Sequence, residues 1–207
     1  PELSENVKRM INLAIQNAWA DSTLRKYTNG LAHFHDFCDS EGIGHQFRLP
    51  ASEFLLCAFT TSYAGSLSAS TVEGKLAAVR AWHIVNNVRY NGGIRLNYVL
   101  KGVENLAPDG LPPRPPLTDN MLQLLHDHLD LSDSFDSCVF SAATTGLWGQ
   151  CRMGELLSKT ECSWNPELIP AVHHLGPPCT KAGSKMLHLP NTKTKRKKGD
   201  SSFIGRQ

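Results

Sequence analysis

The 207-residue chain is 41% hydrophobic and 19% charged, the balance of a globular protein with enough apolar side chains for one large core or two smaller ones. No run approaches the roughly 18 uninterrupted apolar residues of a membrane span. The opening Pro1-Glu-Leu-Ser-Glu-Asn6 does not read as a signal peptide and lacks an initiator methionine, so an excised piece of a non-membrane protein is expected. The net charge of +2 is too small to argue for a nucleic-acid partner by itself, but Lys193, Lys195, Arg196, Lys197 and Lys198 crowd together near the end.

The first hundred residues read as successive helices. Val7, Met10, Ile11, Ala14, Ile15 and Ala18 recur at helical spacing and predict an amphipathic first helix. Asp21 or Ser22 can cap a second, with Leu24, Tyr27, Leu31, Phe34 and Cys38 on one face and a stop at Gly42 or Gly44. Pro50 is expected to open a third, with Phe54, Leu55, Cys57, Ala58 and Phe59 inward. Ser68 to Thr71 restarts the pattern for Val72, Leu76, Val79, Trp82 and Val85, ending near Asn86-Asn87. A fifth helix is expected over 95–106, with Leu96, Val99, Leu100 and Val103 inward, completing a compact bundle.

Pro108, Pro112, Pro113, Pro115 and Pro116 with Gly110 form a dense set of helix breakers, so a linker is placed at 108–117 between a helical domain, 1–107, and a second domain, 118–207. Thr118 caps a helix bearing Met121, Leu122, Leu124 and Leu125, and a mostly apolar helix over 135–147 is expected to be central to the second domain. Beyond residue 160 the prolines suggest short strands and turns. Lys185 to Pro190 fits a strand, and the basic tail fits either a turn with a returning strand or a frayed end. The fold class is therefore mainly α, followed by a mixed α/β part.

The six cysteines (Cys38, Cys57, Cys138, Cys151, Cys162, Cys179) are scattered, several within apolar runs, and are expected to be buried reduced thiols of an intracellular protein. Cys151, Cys162, His173, His174, Cys179 and His188 match no compact zinc-ligand spacing, so no metal is expected.

The segment most informative about chemistry is Thr144-Thr-Gly-Leu-Trp-Gly-Gln-Cys-Arg152-Met-Gly-Glu155-Leu-Leu157. An apolar helix runs into a glycine-containing break, which frees an arginine before a new helix begins. A guanidinium stays charged and donates two parallel hydrogen bonds, which suits it to a phosphate. Glu155 reads first as a brace or cap of its own helix and second as support for such a site.

This segment resembles the first catalytic-arginine motif of the tyrosine recombinases (phage integrases and Cre-like enzymes, with those of fungal mobile elements as a candidate subgroup). Arg152 and Glu155 fall on its Arg-x-x-Glu core, while Trp148 to Cys151 look like an insertion. Ser22 to Tyr27 with Phe34 and Phe37 resembles the first core-binding helix of the family, and Ser68 to His83 a later one. Pro115-Pro-Leu-Thr118 resembles the entry to its catalytic domain, and Asn191-Thr-Lys193-Thr-Lys195 its lysine hairpin. The resemblance covers nearly the whole chain, in order. It implies a SAM-like helical core-binding domain and the first part of a recombinase catalytic domain, together forming a clamp around duplex DNA. It also implies Arg152, Lys193 (or Lys195) and Glu155 as active-site residues.

In that family a tyrosine attacks a backbone phosphate, positive groups stabilise the charge that develops, and a lysine protonates the departing 5′ oxygen. The bond energy is kept in a 3′-phosphotyrosine, so no cofactor is expected. The second arginine, in a His-x-x-Arg motif, and the tyrosine should lie beyond Lys193. The only His-x-x-Arg is His45-Gln-Phe-Arg48, upstream and read as chance, and Tyr27, Tyr63, Tyr90 and Tyr98 all precede the linker. The chain is thus expected to stop short of its nucleophile and to bind DNA without cutting it.

Arg25, Lys26, Lys75, Arg80, Arg89 and Lys101 are candidate phosphate contacts on the helical domain, with Lys195 on the hairpin. Ser70 and Thr71 can meet phosphate at a helix start. The expected partners are duplex DNA and, in the complete enzyme, further protomers in a synaptic tetramer, with no membrane and no small-molecule substrate. The compartment would be the nucleus in a eukaryote and the cytoplasm otherwise. Two alternatives remain: a non-catalytic DNA-binding protein derived from such an enzyme, and a helical protein-interaction module.

Overall fold

A computed structural model describes residues 3–110, 112–195 and 198–205, so Arg196 and Lys197 of the basic run lie outside the described residues. The chain divides into two compact units between Pro112 and Pro113, within the proline-rich stretch. Among the described residues it is mainly helical, with one three-stranded antiparallel sheet.

The first unit contains α1 (Glu5–Gln16), α2 (Asp21–Ser40), α3 (Glu53–Thr61), α4 (Ala69–Val85) and α5 (Ile94–Leu106). Ser4 and Ser52 cap α1 and α3 through their hydroxyls, each followed by a glutamate in the first turn. Asp21 does not cap α2 but is its first residue, and the capping position falls on Ala20 without a side-chain bond. Ser22 is likewise inside the helix. At the other end Gly42 (φ 67) stops α2, with Ile43 N–H donating to Cys38 O at 2.8 Å and Gly42 N–H to Asp39 O at 3.1 Å. This pair of bonds satisfies the last carbonyls of the helix. Asn87 (φ 53) and Val88 end α4 in the same way.

Pro50 does not open α3. The Leu49–Pro50 peptide is cis and sits in a turn closed by Arg48 and Ala51, and Ser52 takes the capping role. The inward face of α3 differs accordingly: Leu55, Leu56, Cys57, Phe59 and Thr60 are buried, whereas Phe54 is 74% exposed. On α4, Val72, Leu76 and Val79 are buried as their spacing predicts, Trp82 is half-buried and Val85 is exposed. The exposed apolar side chains of α1 leave that helix with no buried residue.

The core of this unit joins Phe34 and Cys38 of α2, Leu55, Leu56 and Phe59 of α3, Leu76 and Val79 of α4 and Leu96 of α5. Gly30 lets α2 approach α4: a Cβ there would lie 2.8 Å from the Cβ of Ala78. His83 is fully buried, and both ring nitrogens are engaged. Nε2 accepts from Ala51 N–H at 2.9 Å and Nδ1–H donates to Val79 O at 2.8 Å, which assigns the neutral Nδ1-protonated ring.

The second unit contains α6 (Asp119–His128), α7 (Ser134–Trp148), the single turn α8 (Met153–Leu156), β1 (Leu175–Pro178), β2 (Lys185–Leu189) and β3 (Asp200–Ile204), in the order β1-β2-β3. Thr118 and Asp133 cap α6 and α7. β2 and β3 pair in continuous register from Lys185–Ile204 to Leu189–Asp200, so the basic tail does return as a strand.

The core here is small: Leu156, Leu187 and Leu189, with Cys151 and Ile204 against them. Contrary to expectation, α7 buries only Ala142, because an apolar cleft of about 340 Å³ lies between it and the sheet. The cysteine expectation fails in the same unit. Cys38 and Cys57 are buried, but Cys138, Cys162 and Cys179 are exposed, since the elements carrying them have too little around them to enclose a side chain.

Candidate functional site

The break after α7 is built residue by residue. Gly149 caps the helix, and Gln150 takes a left-handed conformation (φ 50) that costs a side-chain-bearing residue roughly 1–2 kcal/mol. Cys151 is half-buried, and Arg152 becomes the N-cap of α8. The carboxylate of Glu155, in the third position of α8, turns back onto that cap. Its Oε2 accepts from the Arg152 amide at 3.1 Å, and its Oε1 accepts from the Arg152 guanidinium at 3.0 Å.

The same Oε1 accepts the backbone amide of Lys193 at 3.3 Å, from the segment joining β2 to β3. One buried carboxylate thus holds the arginine and the lysine-bearing turn together across 38 residues of sequence. The Glu155 side chain is 10% exposed and that of Arg152 64% exposed, so the acid is enclosed while the guanidinium faces outward. Burial pushes the Glu155 carboxyl up, but the amide and guanidinium of Arg152 and the amide of Lys193 outweigh it and hold the group below the ordinary glutamate range.

A polar cleft of about 200 Å³ opens beside this network, lined by Gln150, Arg152, Thr192, Thr194 and Ser202 among others. Thr192 is buried, and its hydroxyl accepts from Lys195 N–H at 3.1 Å. Lys193 is exposed. Lys195 is also exposed but paired, its Nζ 2.9 Å from Asp200 Oδ2, and that hydrogen bond first of all lowers the Asp200 carboxyl below its usual range. The two candidate lysines therefore differ: one is engaged with an acid, and Lys193 has no ion pair among the described residues.

Three contributors were not singled out from the sequence: Thr192, Asp200 and Ser202, whose hydroxyl donates to Gly149 O at 2.5 Å. Only Thr192, next to Lys193, carried any signal. A serine and an aspartate in a polar tail look like solvent-facing residues.

On the first unit the candidate contacts do not form one patch. Leu24 shares a cleft with Val85, and Gly30 faces Ala78 and Lys75, so α2 and α4 run antiparallel. Arg25 and Lys26 therefore lie near the C-terminal end of α4, with Arg89 just beyond it. Ser70 and Thr71 stand at its N-terminal end, about 20 Å away at 1.5 Å per residue.

Arg25, Lys26 and Arg89 are exposed and have no ion pair among the described residues. The others are more occupied. Lys75 is half-buried with Nζ 5.1 Å from the Tyr63 ring centre, and burial lowers its pKa. Arg80 lies over Tyr90 at 5.9 Å, and Lys101 pairs with Glu104 at 2.8 Å.

The first turn of α4 has no acidic residue. Its N-cap Ser68 makes no bond to the backbone; the hydroxyl instead lies 3.2 Å from Ser70 Oγ and 2.9 Å from Thr71 Oγ1. The Thr71 amide is met by the Ser68 carbonyl at 3.0 Å, so it is the first two amides of the helix, Ala69 and Ser70, that adjoin the hydroxyl cluster without an acceptor among the described residues.

Arg48 of the upstream His-x-x-Arg is a packing residue. It is 3% exposed, and its guanidinium donates to the carbonyl of Ile43 at 2.9 and 2.6 Å and to Asp39. His173 and His174 stack with ring centres 4.0 Å apart and His188 lies 5.8 Å beyond His174, but among the described residues no group of three or more His, Cys, Asp or Glu is arranged to hold a metal. No described helix is long and apolar enough to cross a membrane. Comparison with models of known protein families and with curated protein sequences gives no match for this chain.

Proposed function

We propose that these residues are the DNA-binding part of a tyrosine recombinase, with a core-binding first unit and a second unit that begins its catalytic domain. One observation carries this reading. Arg152 and Lys193, assigned from separate motifs, meet through a single carboxylate: Glu155 Oε1 accepts both the guanidinium of Arg152 and the amide of Lys193.

The chemistry follows from that arrangement. Attack on a backbone phosphate raises the charge on its non-bridging oxygens, and an outward guanidinium held by a buried carboxylate is preorganised to receive it. Glu155 is the positioning residue, already saturated by its own bonds. Lys193, on the turn anchored to the same carboxylate, would give its proton to the 5′ oxygen as the phosphorus–oxygen bond breaks. No tyrosine follows Tyr98 in these 207 residues, so they bind duplex DNA without forming the phosphotyrosine. The complete enzyme would exchange strands in a tetrameric synapse, in the nucleus of a eukaryote, without a cofactor.

Gel-shift titration of the chain on duplex DNA at two salt concentrations tests this. Binding that weakens steeply with salt, with the duplex left intact, is the expected result. Absence of salt-dependent binding favours a helical protein-interaction module instead, and strand cleavage by the chain overturns the assignment of a missing nucleophile.

A further inference from the structure

The break between α7 and α8 is fastened at both ends to the hairpin formed by β2 and β3. At its far end the fastening is Glu155, which joins Arg152 to the amide of Lys193. At its near end it is Ser202 of β3, whose hydroxyl donates to the carbonyl of Gly149 across 53 residues. That carbonyl lies at the end of α7 and has no partner within the helix; besides the Ser202 hydroxyl it accepts only the weakly donating Cys151 thiol, at 3.4 Å.

The approach is close. A Cβ on Gly149 would lie 3.0 Å from Ser202 Oγ and 2.7 Å from the carbonyl of Thr145. Gln150 follows in its left-handed conformation, a state that persists only where its surroundings hold it.

We propose that Ser202 is a positioning residue for Arg152, fixing the start of the turn whose end presents the guanidinium to phosphate. This rests on the reading of Arg152 as a phosphate contact. Ser202 touches no substrate atom itself. It removes freedom from residues 149–151, so the direction in which Arg152 leaves the backbone is set by the hairpin rather than by the helix end alone. Losing the hydroxyl leaves the Gly149 carbonyl to water and the weak Cys151 thiol, neither of which ties it to the hairpin; the left-handed residue can relax, and the guanidinium then spreads over more orientations.

The test compares the chain with Ser202→Ala, Ser202→Thr and Gly149→Ala, the last displacing the same contact from the other side. Two readouts are needed: amide hydrogen exchange over residues 149–152, and duplex affinity as a function of salt. Ser202→Ala should speed exchange of those amides, weaken duplex binding about three- to tenfold, and reduce the magnitude of the salt slope by about one, the loss of a single phosphate contact. Ser202→Thr, which keeps the hydroxyl, should restore both.

In an Arg152→Ala background Ser202→Ala should change affinity no further, whereas a merely structural serine would add its own loss. Should Ser202→Ala fail to fold, Gly149→Ala is read in its place. Unchanged exchange and unchanged affinity in a folded variant overturn the proposal, as does a full additional loss in the Arg152→Ala background. If the unsubstituted chain does not bind duplex, the recombinase reading fails, and hydrogen exchange still decides what Ser202 holds.

Discussion

In the first unit Phe34, Leu56, Phe59, Val79 and His83 are fully buried and four helices share one core. In the second, the buried apolar cluster is Leu156, Leu187 and Leu189, and α7 encloses only Ala142. Both units carry polar contacts between distant segments, but to different ends. In the first, Ala51 N–H to His83, Asn91 to the Ala51 carbonyl and Leu96 N–H to Glu53 add to a large apolar core, whereas in the second the long-range bonds converge on a break that presents an arginine. Packing specifies the one region. In the other a few hydrogen bonds between distant segments specify the part that matters, and such a region is more easily perturbed by single polar substitutions.

That contrast can be broken from either side. The largest effect should come from Phe59→Ala, which empties a fully buried position touching Phe34, Phe37 and Tyr63, at a cost of about 3–5 kcal/mol read from urea unfolding of the first unit. Gly30→Ala comes next. It forces a methyl to within 2.8 Å of Ala78 and should cost about 1–3 kcal/mol in the same measurement.

In the second unit Glu155→Gln keeps the shape and removes the charge, with an expected loss of about 1–2 kcal/mol. Its pH signature is distinctive. The folded carboxyl lies below its ordinary range, so its contribution is complete above about pH 4.3 and is lost as the pH falls through the folded value. Acid melting curves of the chain and of Glu155→Gln should therefore converge at low pH; a gap that persists there would show that the carboxylate's charge is not what stabilises the turn. The smallest effect is a gain. Gln150→Gly relieves the left-handed strain at the expense of a freer unfolded chain and should stabilise by about 0.5–1 kcal/mol, visible as a small rise in melting temperature.

The helical part was legible because its signals are local. The 3- and 4-residue spacing of Leu24 to Cys38 marks α2, and Gly42 and Asn87 mark the ends of α2 and α4. Pro50 misled because proline is equally at home in a turn, and the serine two residues later supplied the cap. Gly30 was invisible, since its role is set by Ala78 on another helix.

For the site, Arg152, Glu155 and Lys193 could be singled out by type and order, but their junction could not, because Glu155 meets Lys193 only after the strands pair. Ser202 had no local signature at all, as its partner is a backbone carbonyl. The exposure of α7 was misjudged because an apolar sequence records what a helix can bury, not what is there to cover it.

In the proposed function Arg152 and Lys193 form one phosphate-binding site through Glu155. The most direct test is the salt dependence of duplex binding by the chain and by Arg152→Ala/Lys193→Ala, measured by fluorescence anisotropy. The double variant should bind more weakly, with a slope of log affinity against log salt shallower by about two. Equal affinity and an unchanged slope in a folded double variant would contradict it.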